Sequence, residues 1–378
     1  MPDNQELVFD AGPVSPGTHA LVIGVGDYPH LIGGSEPTSP HADGMQQLTS
    51  PPVSAREFAD WLRAEYQCTG RPLASLAFLL SEPGQAQDVP LANSTNVVEA
   101  VREWKRRAAA DPANRLIFFF CGHGVSQGED MALLLSDFGA DDDNPLNGAL
   151  DFRQLVGGLK KCAASEQVFF VDACRASSDM MIERAEGFAG VVPLLPGTRP
   201  PEFGPQAPVT YYATLTGARS HGRPNAASLF TAALLKSLRG AGSDEHQDGE
   251  WSVLTGRLQD ALNDFLKEPS FAGRLTLAQV PVANNLTSYE LHRLRGLPSV
   301  PVYVGCETPD ENAQAKFICR TGGVEKEVRE PDGNDGQWVL ELPFGDYEFE
   351  AIVTPTDIRT KSQTVRPISR RLTLVAPQ

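Results

Sequence analysis

Cysteine is scarce in this chain. Its six cysteines (68, 121, 162, 174, 306 and 319) are scattered over 378 residues with no CxxC spacing. That excludes a zinc ribbon and a disulfide scaffold, and it implies a reducing cytoplasm. Basic residues are also short, 32 Lys and Arg against 48 Asp and Glu, for a net charge of −16. So acidic a chain is a poor general binder of nucleic acid or of anionic membrane. No apolar run approaches the roughly 18 residues of a membrane span. The opening residues, Met1 to Phe9, lack the basic and apolar regions of a secretory signal. There is no internal repeat and no low-complexity run. The expectation is a cytoplasmic protein whose 41% hydrophobic content supports a substantial core and whose length suits two domains.

Residues 1–17, with Pro13, Pro16 and Gly17, read as a flexible tail. His19 to Gly26 reads as a first strand. Gly24 and Gly26 suggest a nucleotide loop, but Pro29 follows and no third glycine falls in register, so dinucleotide binding is set aside. Residues 29–52 form a long Pro-, Gly- and Ser-rich loop of the kind that often carries function. Apolar residues at 55, 58, 59, 61 and 62 predict a helix from Ser54, its N-cap, to Tyr66. Further strands are expected at 73–80, 116–122, 131–135, 168–174 and 209–213. Helices are expected at about 94–110, 151–161, 226–238 and 253–266. This β–α alternation predicts an α/β fold with a mostly parallel sheet between helices. After about residue 297 the pattern becomes short alternating strands separated by turns, such as Asp332-Gly333-Asn334-Asp335-Gly336. That predicts a small all-β sandwich over 298–378. Its turn from Leu342 to Tyr347 resembles the strand junction of transthyretin-like sandwiches, which carries no chemistry.

Two stretches carry the chemistry. Val168-Phe169-Phe170-Val171-Asp172-Ala173-Cys174 is an apolar strand that ends on a thiol. Leu116-Ile117-Phe118-Phe119-Phe120-Cys121-Gly122-His123 is a matching strand that ends on an imidazole. Parallel strands present such groups at their C-terminal ends, where open α/β sheets carry their sites. A thiol of ordinary pKa is only a few per cent thiolate at neutral pH, and a neighbouring imidazole can take its proton. Gly122 and Gly124 flank His123, leaving room for a substrate backbone. The backbone N–H groups after His123 and at Cys174 can converge on a developing oxyanion. Such a donor is worth roughly 3–4 kcal/mol in a measured protease. The parts suit acyl transfer: Cys174 attacks a carbonyl and His123 protonates the leaving amine. Read singly, a cysteine is usually an inert small hydrophobe and a histidine among glycines a polar loop residue. The pairing is what points to catalysis.

The pair resembles the caspase and metacaspase superfamily of cysteine peptidases. Asp172-Ala173-Cys174-Arg175-Ala176 is similar to its Gln-Ala-Cys-[Arg/Gln/Gly]-Gly signature, which has the histidine about 50 residues upstream. Cys121-Gly122-His123-Gly124 resembles the family's Ser-Gly-His-Gly. Phe230-Thr231 resembles its small-subunit Phe-Thr, and His19 to Tyr28 resembles its opening strand. The likeness covers about residues 18–285 and implies a caspase-like peptidase domain over 18–290. It makes Cys174 the nucleophile, His123 the general base and acid, and the N–H groups of Gly124 and Cys174 the oxyanion hole. Caspases that cut after Asp carry Gln where this chain has Asp172. In metacaspases, paracaspases and clostripain-like relatives, an Asp there lies at the base of the S1 pocket and selects Arg or Lys. The charge logic agrees, since a guanidinium meets a buried carboxylate with two parallel hydrogen bonds. The second pocket Asp of many metacaspases has no clear counterpart in Val53-Ser54-Ala55-Arg56-Glu57.

The resemblance therefore implies a cysteine endopeptidase that cuts protein substrates after Arg or Lys. It would be latent until cleaved by itself, by an upstream protease, or switched by a partner, in bacterial defence or programmed death. Caspase relatives mature by cleavage in the linker that here spans 176–208, which offers Arg184 and Arg199 as processing sites. No cofactor is expected. The acidic run Asp137 to Asp143 suits Ca2+ but reads first as a solvated turn. The alternatives are a pseudoprotease that only binds partners and a cysteine hydrolase of small amides.

Overall fold

The computed structural model describes residues 6–84, 88–127, 130–174, 190–214, 223–267 and 281–376. Apolar runs too continuous for one-sided burial become strands of a sheet covered on both faces. The strands are β1 (Leu7–Asp10), β2 (Thr18–Val25), β3 (Leu73–Ser81), β4 (Arg115–Gly122), β5 (Gly124–Gln127), β6 (Asp130–Leu134), β7 (Ala149–Asp151), β8 (Glu166–Ala173) and β9 (Ala207–Tyr212). They continue as β10 (Ser243–Glu245), β11 (Trp251–Leu254), β12 (Val282–Asn284) and β13 (Glu290–Arg293). The central sheet has the order β1-β3-β2-β4-β8-β9-β12. Its inner neighbours are all parallel, and both edge strands are antiparallel.

The helices are α1 (Ser50–Ala64), α2 (Ser94–Ala108), α3 (Phe152–Leu159), α4 (Leu229–Lys236) and α5 (Thr255–Leu266). Alternation along the strands sorts the aromatic residues between the two faces. Phe118, Phe120 and Phe169 pack with Trp104 of α2 and Phe152 of α3. Phe119 and Phe170 pack instead on Phe58 of α1, at ring distances of 4.5 and 5.6 Å. Helix α1 lies close on β2: a Cβ at Gly24 would fall 2.6 Å from that of Ala55. That contact, not a nucleotide, accounts for the glycine.

Two expectations need correction. The tail is not loose throughout, because Leu7–Asp10 pairs along the edge of β3. Its short apolar stretch covers an otherwise open sheet edge. Helix α1 begins four residues before Ser54, with Thr49 at the N-cap and prolines 51 and 52 in its first turn. Prolines are tolerated there because the first-turn N–H groups have no helical partner in any case. The chain divides into one unit of Met1–Leu235 with Leu277–Ser288, and another of Lys236–Thr276 with Tyr289–Gln378. The second unit therefore contains α5 and β10-β11-β13 as well as the later strands.

Within that second unit lies the expected sandwich. Its strands are β14 (Ser299–Gly305), β15 (Lys316–Thr321), β16 (Val324–Arg329), β17 (Trp338–Pro343), β18 (Gly345–Thr354), β19 (Asp357–Val365) and β20 (Arg370–Thr373). They form the sheets β17-β14-β20 and β16-β15-β18-β19. One core joins them, with Val302, Val304, Phe317, Leu340, Phe349 and Leu372 among its members.

Candidate active site

The register of β4 on β8 builds the site. Cys121 lies opposite Asp172, and Gly122 opposite Ala173. His123 and Cys174 are the residues that directly follow these paired strand ends. Alternation from Phe119 and Phe170, which pack on Phe58, puts the side chains of Cys121 and Asp172 on the α1 face of the sheet. The closeness is physical: a Cβ at Gly124 would fall 2.7 Å from the carbonyl oxygen of Cys174 and 2.9 Å from Cβ of Ala173. At Gly122 it would meet the Tyr28 hydroxyl at 2.8 Å. The two glycines thus let the His123 turn sit between Tyr28 and the end of β8, a tighter requirement than room for a substrate.

His123 is held at two points. Its backbone N–H donates to the Tyr28 hydroxyl at 2.8 Å, and the two rings lie 4.9 Å apart. Tyr28 in turn donates to the Leu134 carbonyl at 3.2 Å. Burial pushes the Tyr28 phenol well up, so it stays protonated. The imidazole Nε2 lies 2.7 Å from the Gln46 carbonyl oxygen. A carbonyl only accepts, so Nε2 carries the proton and the neutral ring keeps its lone pair on Nδ1. Burial lowers the pKa of His123, with the Gln46 carbonyl opposing it. The ring is therefore a neutral base at physiological pH.

Asp172 is 3% exposed. Its Oδ2 accepts from the Thr231 hydroxyl at 2.7 Å, from the Ser228 hydroxyl, and from the Cys121 thiol at 3.4 Å. Burial first, and then the Asp172 charge, push the Cys121 thiol far up, so it acts as a neutral donor. Ser228 is also the N-cap of α4, accepting from the Thr231 N–H at 2.9 Å. The Ser228 N–H donates to Ser54 of α1 at 3.0 Å. Of these groups, the sequence marks Cys121, Phe230 and Thr231 by resemblance and the 29–52 loop by its length. Gln46 escapes notice because a backbone carbonyl leaves no trace in residue type.

The caspase-domain family model matches residues 18–289. The chain belongs to this caspase family of cysteine peptidases. An uncharacterized protein of Sinorhizobium fredii is 30% identical over 241 residues, 61% of this chain and 68% of its own. A protein of a Desulfuromonadales bacterium, described as a probable protease, is 30% identical over 224 residues, 55% of this chain. That match spans only 26% of the relative's length. Among solved structures, caspase-1 of Spodoptera frugiperda aligns over 73% of this chain and 91% of its own, at 14% identity and a TM-score of 0.42. A Geobacter sulfurreducens protein aligns over 73% and 94%, at 14% identity and a TM-score of 0.43.

The other expectations about this caspase-family chain concern the segment after Cys174 and the acidic run. Arg175 and Arg184 lie outside the described residues. Arg199 does not offer itself for cleavage. Its guanidinium donates to the carbonyls of Cys162, Ala163, Phe203 and Gly204 at 2.7–3.0 Å. Entry into a protease S1 pocket would require breaking all four, which moves the expectation away from Arg199. In the acidic run, Asp137 caps α2 through Ser94, and Asp141 receives the N–H groups of Asp143 and Asn144. Among the described residues, no group of three or more His, Cys, Asp or Glu is arranged to hold a metal ion. Nor is any described helix long and apolar enough to cross a membrane.

Proposed function

We propose that this protein is a cysteine endopeptidase that cuts protein substrates after Arg or Lys. The observation that carries the reading is the Nε2–H bond of His123 to the Gln46 carbonyl, which leaves Nδ1 as the unprotonated, basic nitrogen of the ring. In this reading Nδ1 takes the Cys174 proton as sulfur attacks the scissile carbonyl. The oxyanion develops against the N–H groups of Gly124 and Cys174. His123 then returns its proton to the leaving amine, and water, activated by the same imidazole, hydrolyses the thioester. Asp172, two residues before the nucleophile, supplies the negative charge that favours a basic P1 side chain. Such an enzyme would be held latent, and its activating cut is assigned to Arg184, made by the enzyme itself or by an upstream protease. A panel of fluorogenic peptides with Arg, Lys, Asp or Leu at P1 tests the reading. Wild type should cleave the first two and Cys174→Ala none. Covalent labelling of Cys174 by an Arg-chloromethylketone should accompany it, whereas a partner-binding scaffold would neither cleave nor label.

A further inference from the structure

We propose that Ser228 and Thr231, at the start of α4, are specificity-determining residues that stand in for the substrate's cation on Asp172. The inference rests on the basic-P1 reading above and deepens it.

Three observations lead to it. First, Asp172 is almost wholly withdrawn from solvent. An ionised carboxylate in such a place needs partners even when no substrate is bound. Second, the directions of the hydrogen bonds around it are fixed. Ser228 Oγ accepts from the Thr231 N–H, so its single proton is available for Asp172 Oδ2. Thr231 Oγ1 gives its own proton to the same oxygen, and Cys121 adds its S–H. Oδ2 therefore holds three neutral donors. Third, the donors are not adventitious surface groups. Ser228 is locked as the cap of α4 and tied to Ser54 of α1, and Asn225, three residues earlier, donates to Thr49 Oγ1 at the start of α1.

A guanidinium binds a carboxylate best when both oxygens are open in one plane. Here it must displace hydroxyl donors to reach Oδ2. The hydroxyls thus do two things. They satisfy the anion while the site is empty, and they subtract from the gain when Arg enters. The displacement cost falls equally on any entering side chain, so a neutral hydrogen-bonding isostere, which gains less from the carboxylate, is left with little net binding while a cation still binds. At the same time it lowers the absolute affinity.

Thr231→Val keeps the shape and the backbone N–H but removes one competing donor. Its Arg affinity should rise about tenfold, the size of one hydrogen bond to a charged group. Two measurements read this: calorimetry of benzamidine binding to full-length chain carrying Cys174→Ala, and the kcat/KM of Arg against citrulline P1 substrates, with the change carried mainly by KM. Ser228→Gly, which preserves helix capping better than Ala, should shift both in the same direction. Unchanged or weaker benzamidine binding in both variants would overturn the inference. Asp172→Asn separates the two levels. If it leaves the Arg-over-citrulline preference intact, the S1 reading itself fails. If it erases the preference while Thr231→Val changes nothing, only the role of the hydroxyls fails.

Discussion

At the scale of single residues, the proposed site pairs a thiol with an imidazole whose protonation follows from what touches the ring. Burial disfavours the charged form of His123, so the base stays deprotonated to lower pH than an ordinary histidine. The acid limb of a kcat/KM profile should accordingly lie below the usual value near 6.5, and a limb above it would contradict the buried geometry. Gly124 admits no side chain. Gly124→Ala should cut activity at least about 100-fold and destabilise by about 1–3 kcal/mol, because the new methyl meets the Cys174 carbonyl and Ala173. Turnover and a urea midpoint on the same sample check both. Cys174 and His123 could be singled out from sequence because the proposed nucleophile and base each demand a particular residue type. Gln46 was not, since any residue can offer a carbonyl. Ser228 went unmarked inside the expected 226–238 helix, because its bond to Asp172 depends on a partner that only folding brings near.

At the scale of elements, the two strands that deliver the site are fastened at their opposite ends by buried charge. Arg115 of β4, 1% exposed, meets Glu166 of β8 at 2.5 and 2.9 Å and the Tyr66 hydroxyl at 3.0 Å. Arg71 reaches the same glutamate at 2.8 Å. Removing one member of a buried pair leaves the other uncompensated. Glu166→Ala should therefore cost about 3–5 kcal/mol in denaturant unfolding. A loss under about 1 kcal/mol would show that water or another group takes over. The parallel core strands were readable because continuous apolar runs have few other uses. Edge strand β1 was missed because four residues carry little periodicity. The start of α1 was misplaced because Ser54 resembles a cap, yet its hydroxyl bonds to Ser228 instead of closing a helix end.

At the scale of the whole molecule, the change of texture near residue 297 marks the start of the sandwich but not the edge of a compact unit. Trp251 stacks with Phe344 at 4.9 Å, Lys236 pairs with Glu341, and Asp264 receives Arg371 and Ser369. Gly240 has Pro298 against it so closely that a Cβ would collide. A chain truncated after Leu297 should therefore lose the partners of α5 and β11 and melt well below the full chain, most simply seen by calorimetry. If it melts at the same temperature, those contacts contribute nothing. The sequence could not reveal this, because the segments that share the unit, 236–276 and 289–378, are separated by β12, which belongs to the other sheet.

The stretch from 190 to 206 is stitched down at many points. Val191 bridges to Leu150, Leu194 presses on Gly158, Lys161 reaches the Leu195 carbonyl, and Arg199 holds four carbonyls. Strand β9 then pairs directly with β8. A nick anywhere between 175 and 189 would consequently leave two polypeptides that migrate together through a sizing column. They would part into separate bands only when boiled in detergent.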